Sequence, residues 1–170
     1  MDPTPLRDAY RALLDAPATV AGSGDASPVP PAGEWNAGQI LGPYVSLVSA
    51  ATIAAASAVA SGANTTYDNR TALDPWTIER VIALAGGSAG LQDRIARQGD
   101  ALCALGGPVL SEAELGTLVP TLLLSNDTVL VDQPMSLRDL ITGLADTELP
   151  GHTRQLLALL PDGAGAEPTT

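Results

Sequence analysis

Val45-Ser-Leu-Val-Ser-Ala-Ala-Thr-Ile-Ala-Ala-Ala-Ser-Ala-Val-Ala60 is the stretch on which the fold turns. It lies inside a longer run, Trp35 to Tyr67, that holds no charged residue. Sixteen such residues raise the question of a membrane span. Two features argue for a buried helix of a helical domain instead. The run is built from Ala, Ser, Thr and Val, and it lacks a basic flank and an aromatic belt beyond Trp35 and Tyr44. Small side chains also let neighbouring helices approach closely. The expectation is therefore a central helix opening near Asn36, a good N-cap, with Ile40, Leu41, Tyr44, Val48, Ala51, Ala55 and Val59 facing inward. Pro43 should bend its first turns.

Working outward, Leu6, Tyr10, Leu13 and Leu14 recur at helical spacing, which predicts a first helix over 4–15. Residues 16–34 hold four prolines and three glycines and read as an irregular connector. Residues 61–73 read as a polar loop. Asp74-Pro75 is a cap followed by an N1 proline, and it opens a third helix carrying Ile78, Val81, Ile82, Ala85, Leu91, Ile95 and Leu102. Gly86, Gly87 and Gly90 weaken the middle of that helix and allow close packing or a kink there. Gly106-Gly107-Pro108 ends it. Ser111 and Glu114 form a capping box for a short turn of helix. Val119–Leu124 and Val129–Val131 flank a Ser-Asn-Asp-Thr turn and predict a small hairpin, with Pro120 limiting the first run to an edge or a strand start. Ser136 and Asp139 cap a last helix with Leu137, Leu140, Ile141, Leu144, His152, Leu156 and Leu159 or Leu160 inward and a kink at Pro150. These elements give one mainly all-α domain over residues 1–161, with 162–170 a disordered tail.

The formal charge of −11 argues against nucleic-acid and anionic-membrane partners, because acidic surface repels phosphate. One cysteine, Cys103, in an apolar context rules out an internal disulfide framework and suggests a quiet core thiol. The first residues show no secretory leader, so the expected compartment is the cytoplasm. The composition, rich in Ala, Gly, Pro and Arg and without Lys, has a bacterial, high-GC character. Phosphate-loop, dinucleotide-fingerprint and paired-cysteine zinc signatures are missing. What remains is His152, the single histidine, with Glu148 four residues before it. Residues at i and i+4 share one helix face. A carboxylate beside an imidazole orients it and raises its basicity, the arrangement general-base catalysis needs. The alternative is a hydrogen-bonded histidine beside a solvated glutamate.

Trp35-Asn-Ala-Gly-Gln39-Ile40-Leu41-Gly-Pro43 and Glu148-Leu-Pro-Gly-His152-Thr-Arg-Gln155-Leu156 together resemble the DinB-like superfamily, including its mycothiol-dependent maleylpyruvate isomerase branch. The resemblance covers about residues 5–160 in element order. It implies a four-helix bundle. It also implies that three histidines of the family pattern, which hold a divalent metal, fall here on Pro43, Glu148 and His152. Proline supplies no ligand atom, so the resemblance implies a degenerate metal site, with no resident cofactor and room for a thiol cosubstrate. Around it, His152, Glu148 and Tyr44 are the candidate catalytic residues, and Gln39, Trp35 and Arg94 the candidate substrate-binding residues.

Three readings follow. One is a metal-independent enzyme of isomerase, transferase or cyclase type, of the kind bacterial secondary metabolism uses, acting on a small organic substrate. Another is a non-catalytic descendant that binds a small ligand or a partner. The third is a thiol-dependent metalloenzyme with unusual ligands. A homodimer is compatible with all three.

Overall fold

The computed structural model describes residues 1–22, 40–125 and 128–158. The expected N-cap Asn36, the candidate residues Trp35 and Gln39, the inward Leu159 or Leu160 and the tail lie outside the described residues.

Among the described residues the chain is mainly helical, with one small sheet. Helix α1 spans Thr4–Gly22 and buries Leu6, Tyr10, Leu13 and Ala16. It therefore continues beyond the predicted end at residue 15, through Pro17, into part of the expected connector. Helix α2 spans Val45–Ala60. It is entered through a π-helical turn, Ile40–Tyr44, that contains Pro43. The wide turn absorbs the proline, whose missing N–H would break a regular α-helical ladder. From Gly42 to Ala60 this segment is long and apolar enough, by length and composition, to cross a membrane; half of it is buried against the rest of the chain. Three hydroxyl side chains lie on its buried face. Ser49 meets the Tyr10 hydroxyl at 2.6 Å, Thr52 donates to the Val48 carbonyl at 2.9 Å, and Ser46 Oγ has no partner among the described residues.

The stretch predicted as a loop over 61–73 is more ordered than its composition suggests. It contains a two-residue strand, β1 (Tyr67–Asp68), and a short helix, α3 (Arg70–Leu73). The strand carries no local signal, since β1 exists only through its partner strand. The predicted third helix is two helices, α4 (Pro75–Ala85) and α5 (Ser88–Ala104). Asp74 caps α4 by accepting from the Thr77 amide at 2.9 Å. The glycines do more than weaken the segment. Gly86 (φ 73°) and Gly87 (φ 102°) take left-handed conformations that end α4 and let α5 start in a new direction.

A second proline-bearing π-helical turn, Leu105–Val109, leads from α5 to α6 (Glu112–Leu115), where the Ser111–Glu114 capping box forms as expected. Strands β2 (Leu118–Ser125) and β3 (Thr128–Ser136) make the predicted hairpin. The sheet order is β1-β2-β3, with β1 parallel and β3 antiparallel to β2. So β2 is central rather than an edge. Pro120 is accommodated because β1 reaches only Thr121 and Leu122, and because Pro120 sits opposite Pro134 on β3.

The last helical segment is α7 (Leu137–Gly143), a π-helical turn (Leu144–Glu148) and α8 (Leu149–Leu157). Pro150 does not kink a helix interior. It stands just after the π-helical turn Leu144–Glu148, which takes up its missing N–H as the turn before α2 does for Pro43.

Helix α1 packs on α8 and α5, and α5 packs on α2. The core between them holds Leu6, Leu13, Ile95, Leu102, Leu137, Ile141, Leu149 and Leu156, each almost fully removed from water. Gly99 allows the close α1–α5 approach: a Cβ there would stand 2.8 Å from the Tyr10 ring. Cys103 is a free, buried thiol whose pKa burial pushes up, in keeping with an inert core residue.

Candidate functional site

Three structural devices converge on one polar cluster. The π-helical turn before α2 delivers Tyr44, the π-helical turn before α8 delivers Glu148, and the first turns of α8 deliver His152. The Tyr44 and His152 rings lie with centroids 4.9 Å apart, tilted by 58°. Nε2 of His152 is 3.8 Å from Oε2 of Glu148, so the i,i+4 pair expected from the sequence does share a face. His152 is 18% exposed and Glu148 38%, which leaves the carboxylate open to solvent and the imidazole mostly sheltered.

The imidazole is oriented on its other side. Nδ1 lies 2.9 Å from Oε1 of Gln155. An amide oxygen only accepts, so Nδ1 carries the proton in this arrangement and the neutral ring presents the Nε2 lone pair toward Glu148. When the ring is protonated, Glu148 faces the new charge.

Tyr44 is half-buried, and its phenol is pushed up to about 12, first by desolvation and then by the Glu148 charge. It therefore stays protonated at neutral pH and serves as a donor. Its oxygen also accepts from Nδ2 of Asn69 at 3.3 Å. Tyr67, buried as well, is pushed up by burial and then, against a hydrogen bond with Thr52, by Tyr44 and Glu148.

Asn69 is the residue that sequence reasoning missed. It is 3% exposed and joins the cluster to the sheet. Its Nδ2 donates to the Leu124 carbonyl at 2.8 Å, and its Oδ1 accepts from the Leu124 amide at 2.9 Å. One side chain thus imitates a strand residue while supporting the Tyr44 oxygen. An Asn in a polar stretch gives no hint of this, because its partner is 55 residues away.

Among the expected substrate-binding residues, Arg94 is not part of this cluster. It lines a separate cleft beside Ile53, Arg97 and Gln98. Trp35 and Gln39 lie outside the described residues.

The three-histidine metal of the resembled family does not fit these residues. Pro43 is buried and offers no donor, Nδ1 of His152 is committed to Gln155, and only Glu148 and Nε2 of His152 remain. Among the described residues, no group of three or more His, Cys, Asp and Glu comes together as metal ligands would.

Comparison with protein-family models, with curated proteins and with solved structures returns no match to this chain.

Proposed function

We propose that Glu148, His152 and Tyr44 form an acid/base site for a small organic substrate, on a DinB-like bundle scaffold that has lost its metal site. The convergence of Tyr44 with Glu148 and His152, 104 and 108 residues further along the chain, is the observation that carries the reading. In it, Nε2 of His152 takes a proton from the substrate, and Glu148 stabilises the imidazolium that results. The Tyr44 phenol donates to the oxygen on which negative charge develops. This suits an isomerase-, transferase- or cyclase-type step that passes through an enol or alkoxide, carried out in the cytoplasm. No metal takes part, and a thiol cosubstrate is compatible with it.

The test uses proton exchange as readout. The protein is incubated in D2O with a panel of ketones and keto acids, maleylpyruvate included, with and without added thiol, and deuterium uptake and product are followed by NMR. Substrates whose exchange is accelerated should lose about a hundredfold or more of that acceleration in His152→Ala, and should keep it in the presence of a chelator. Full turnover in both His152→Ala and Glu148→Ala refutes the acid/base role. Loss of activity on chelation restores the metalloenzyme.

A second reading has its own support. Tyr44, Asn69 and His152 all have partners within the chain, so the network is satisfied without a substrate. A binding descendant without turnover would show ligand-dependent thermal stabilisation and no exchange.

A further inference from the structure

Arg94, the neighbours Arg97 and Gln98, and Ala101 fall on successive turns along one face of α5. With Ile53 of α2, Gly90 and Asp93 they line a cleft of about 370 Å³, at the small end of the range for ligand sites, in which two guanidinium groups face a single carboxylate. We propose that this cleft binds a small amphipathic carboxylate, with Arg94 as its anchor.

The charges carry the argument. In a chain of net charge −11 the long-range field repels anions, so an anion is held only where local cations outweigh it. Most arginines of the described residues with a close acidic neighbour are spent on it: Arg11 on Asp8, Arg70 on Asp68, Arg138 on Glu112. Arg97 reaches Asp93 at 3.4 Å, but both side chains are well exposed and the pair is weak. Arg94 is only partly exposed and has no carboxylate within ion-pairing distance among the described residues. A guanidinium without such a partner is stabilised by a carboxylate that takes its planar donors two at a time.

The rest of the cleft fixes the other end of the ligand. Ile53, Ala101 and the bare backbone at Gly90 make an apolar floor, which suits a short alkyl body and not a free inorganic anion. Gln98 forms the wall. Its Nε2 donates to the Ser46 carbonyl at 3.0 Å, which holds the side chain in place, and its Oε1 has no partner among the described residues.

The probe is octanoate, with 1-octanol as its uncharged counterpart, titrated into the full-length ¹⁵N-labelled protein. Octanoate is expected to bind in the millimolar range or tighter and to shift the amides of Gly90, Arg94, Arg97 and Ala101. Arg94→Gln should weaken it about tenfold, the loss of one charge-assisted hydrogen bond, while Arg94→Lys keeps part of the affinity and Arg97→Gln costs less than Arg94→Gln. The proposal is overturned if 1-octanol binds as tightly, if Arg94→Gln binds octanoate like the parent, or if the shifts fall away from α5. Proton exchange at the His152 site is read separately, so the failure of one site leaves the other standing.

Discussion

Replacing Asn69 by alanine removes the side chain that joins β2 to the helical layer. Two backbone groups lose their partners, the N–H and the C=O of Leu124, and Tyr44 loses a donor. An orphaned buried polar group costs about 1–3 kcal/mol. Leu124 is half-buried, so water recovers part of that, and the lower end applies to each group. The sum is about 2–3 kcal/mol, or a fall of about 4–12 °C in Tm for a chain of this size. Urea unfolding monitored by circular dichroism measures it directly. Asn69→Asp sharpens the test. Its carboxylate would face the Leu124 carbonyl and the Tyr44 oxygen, with Glu148 nearby, so burial and like charge raise its folded pKa above the unfolded value of about 3.9. A raised acid contributes stability below the unfolded pKa and loses it as pH rises through the folded pKa. The Asp variant should therefore approach the parent near pH 3.5 and fall behind it at pH 7.5. A loss below about 0.5 kcal/mol for Asn69→Ala, or a deficit in Asn69→Asp that does not change with pH, would refute the role given to this side chain.

Two further predictions concern titration and turn geometry. The three tyrosines all have raised phenols, so native protein at pH 10.5 should show little tyrosinate absorbance near 295 nm, and urea should release it; free-like titration of Tyr44 in the native state would contradict its burial beside Glu148. Gly86→Ala places a Cβ in open space but at φ 73°, so it should cost about 1 kcal/mol of stability through backbone strain alone, measured by the same urea titration, and a neutral result would mean the α4–α5 break is not held in that conformation.

Local chemistry was readable wherever the cause lies within four residues. The Asp74 and Ser136 caps, the Ser111–Glu114 box and the hairpin all form where their residues predict. The same holds for the Glu148–His152 pair, whose contact is a matter of helix pitch. Periodicity also found Leu6, Tyr10 and Leu13. It failed where geometry depends on remote partners. Tyr67 and Asp68 become a strand only because Thr121 and Leu122 pair with them. Asn69 is a site residue only because Leu124 lies beside it. Arg94, expected beside Tyr44 and His152, stands instead on the face of α5 that lines a cleft with Ile53. The glycine pair, read as a weak point or a kink, is a corner, because its left-handed dihedrals divide the helix in two.

The π-helical turn at Leu144–Glu148 holds one residue more than an α-helical turn would. The Leu149 amide reaches back to the Leu144 carbonyl across five residues instead of four, so the surplus residue is taken up inside the turn. Helix α8 therefore continues α7 in the phase of a regular helix, with Leu149 and Leu156 in the core and His152 beside Tyr44. An α-helix advances about 100° per residue, so the same residues wound as a plain α-helix would swing every later side chain by about that angle. The imidazole would then leave the tyrosine ring, and both leucines would leave the core. The width of this one turn thus lets the chain carry an extra residue without losing the register of its site.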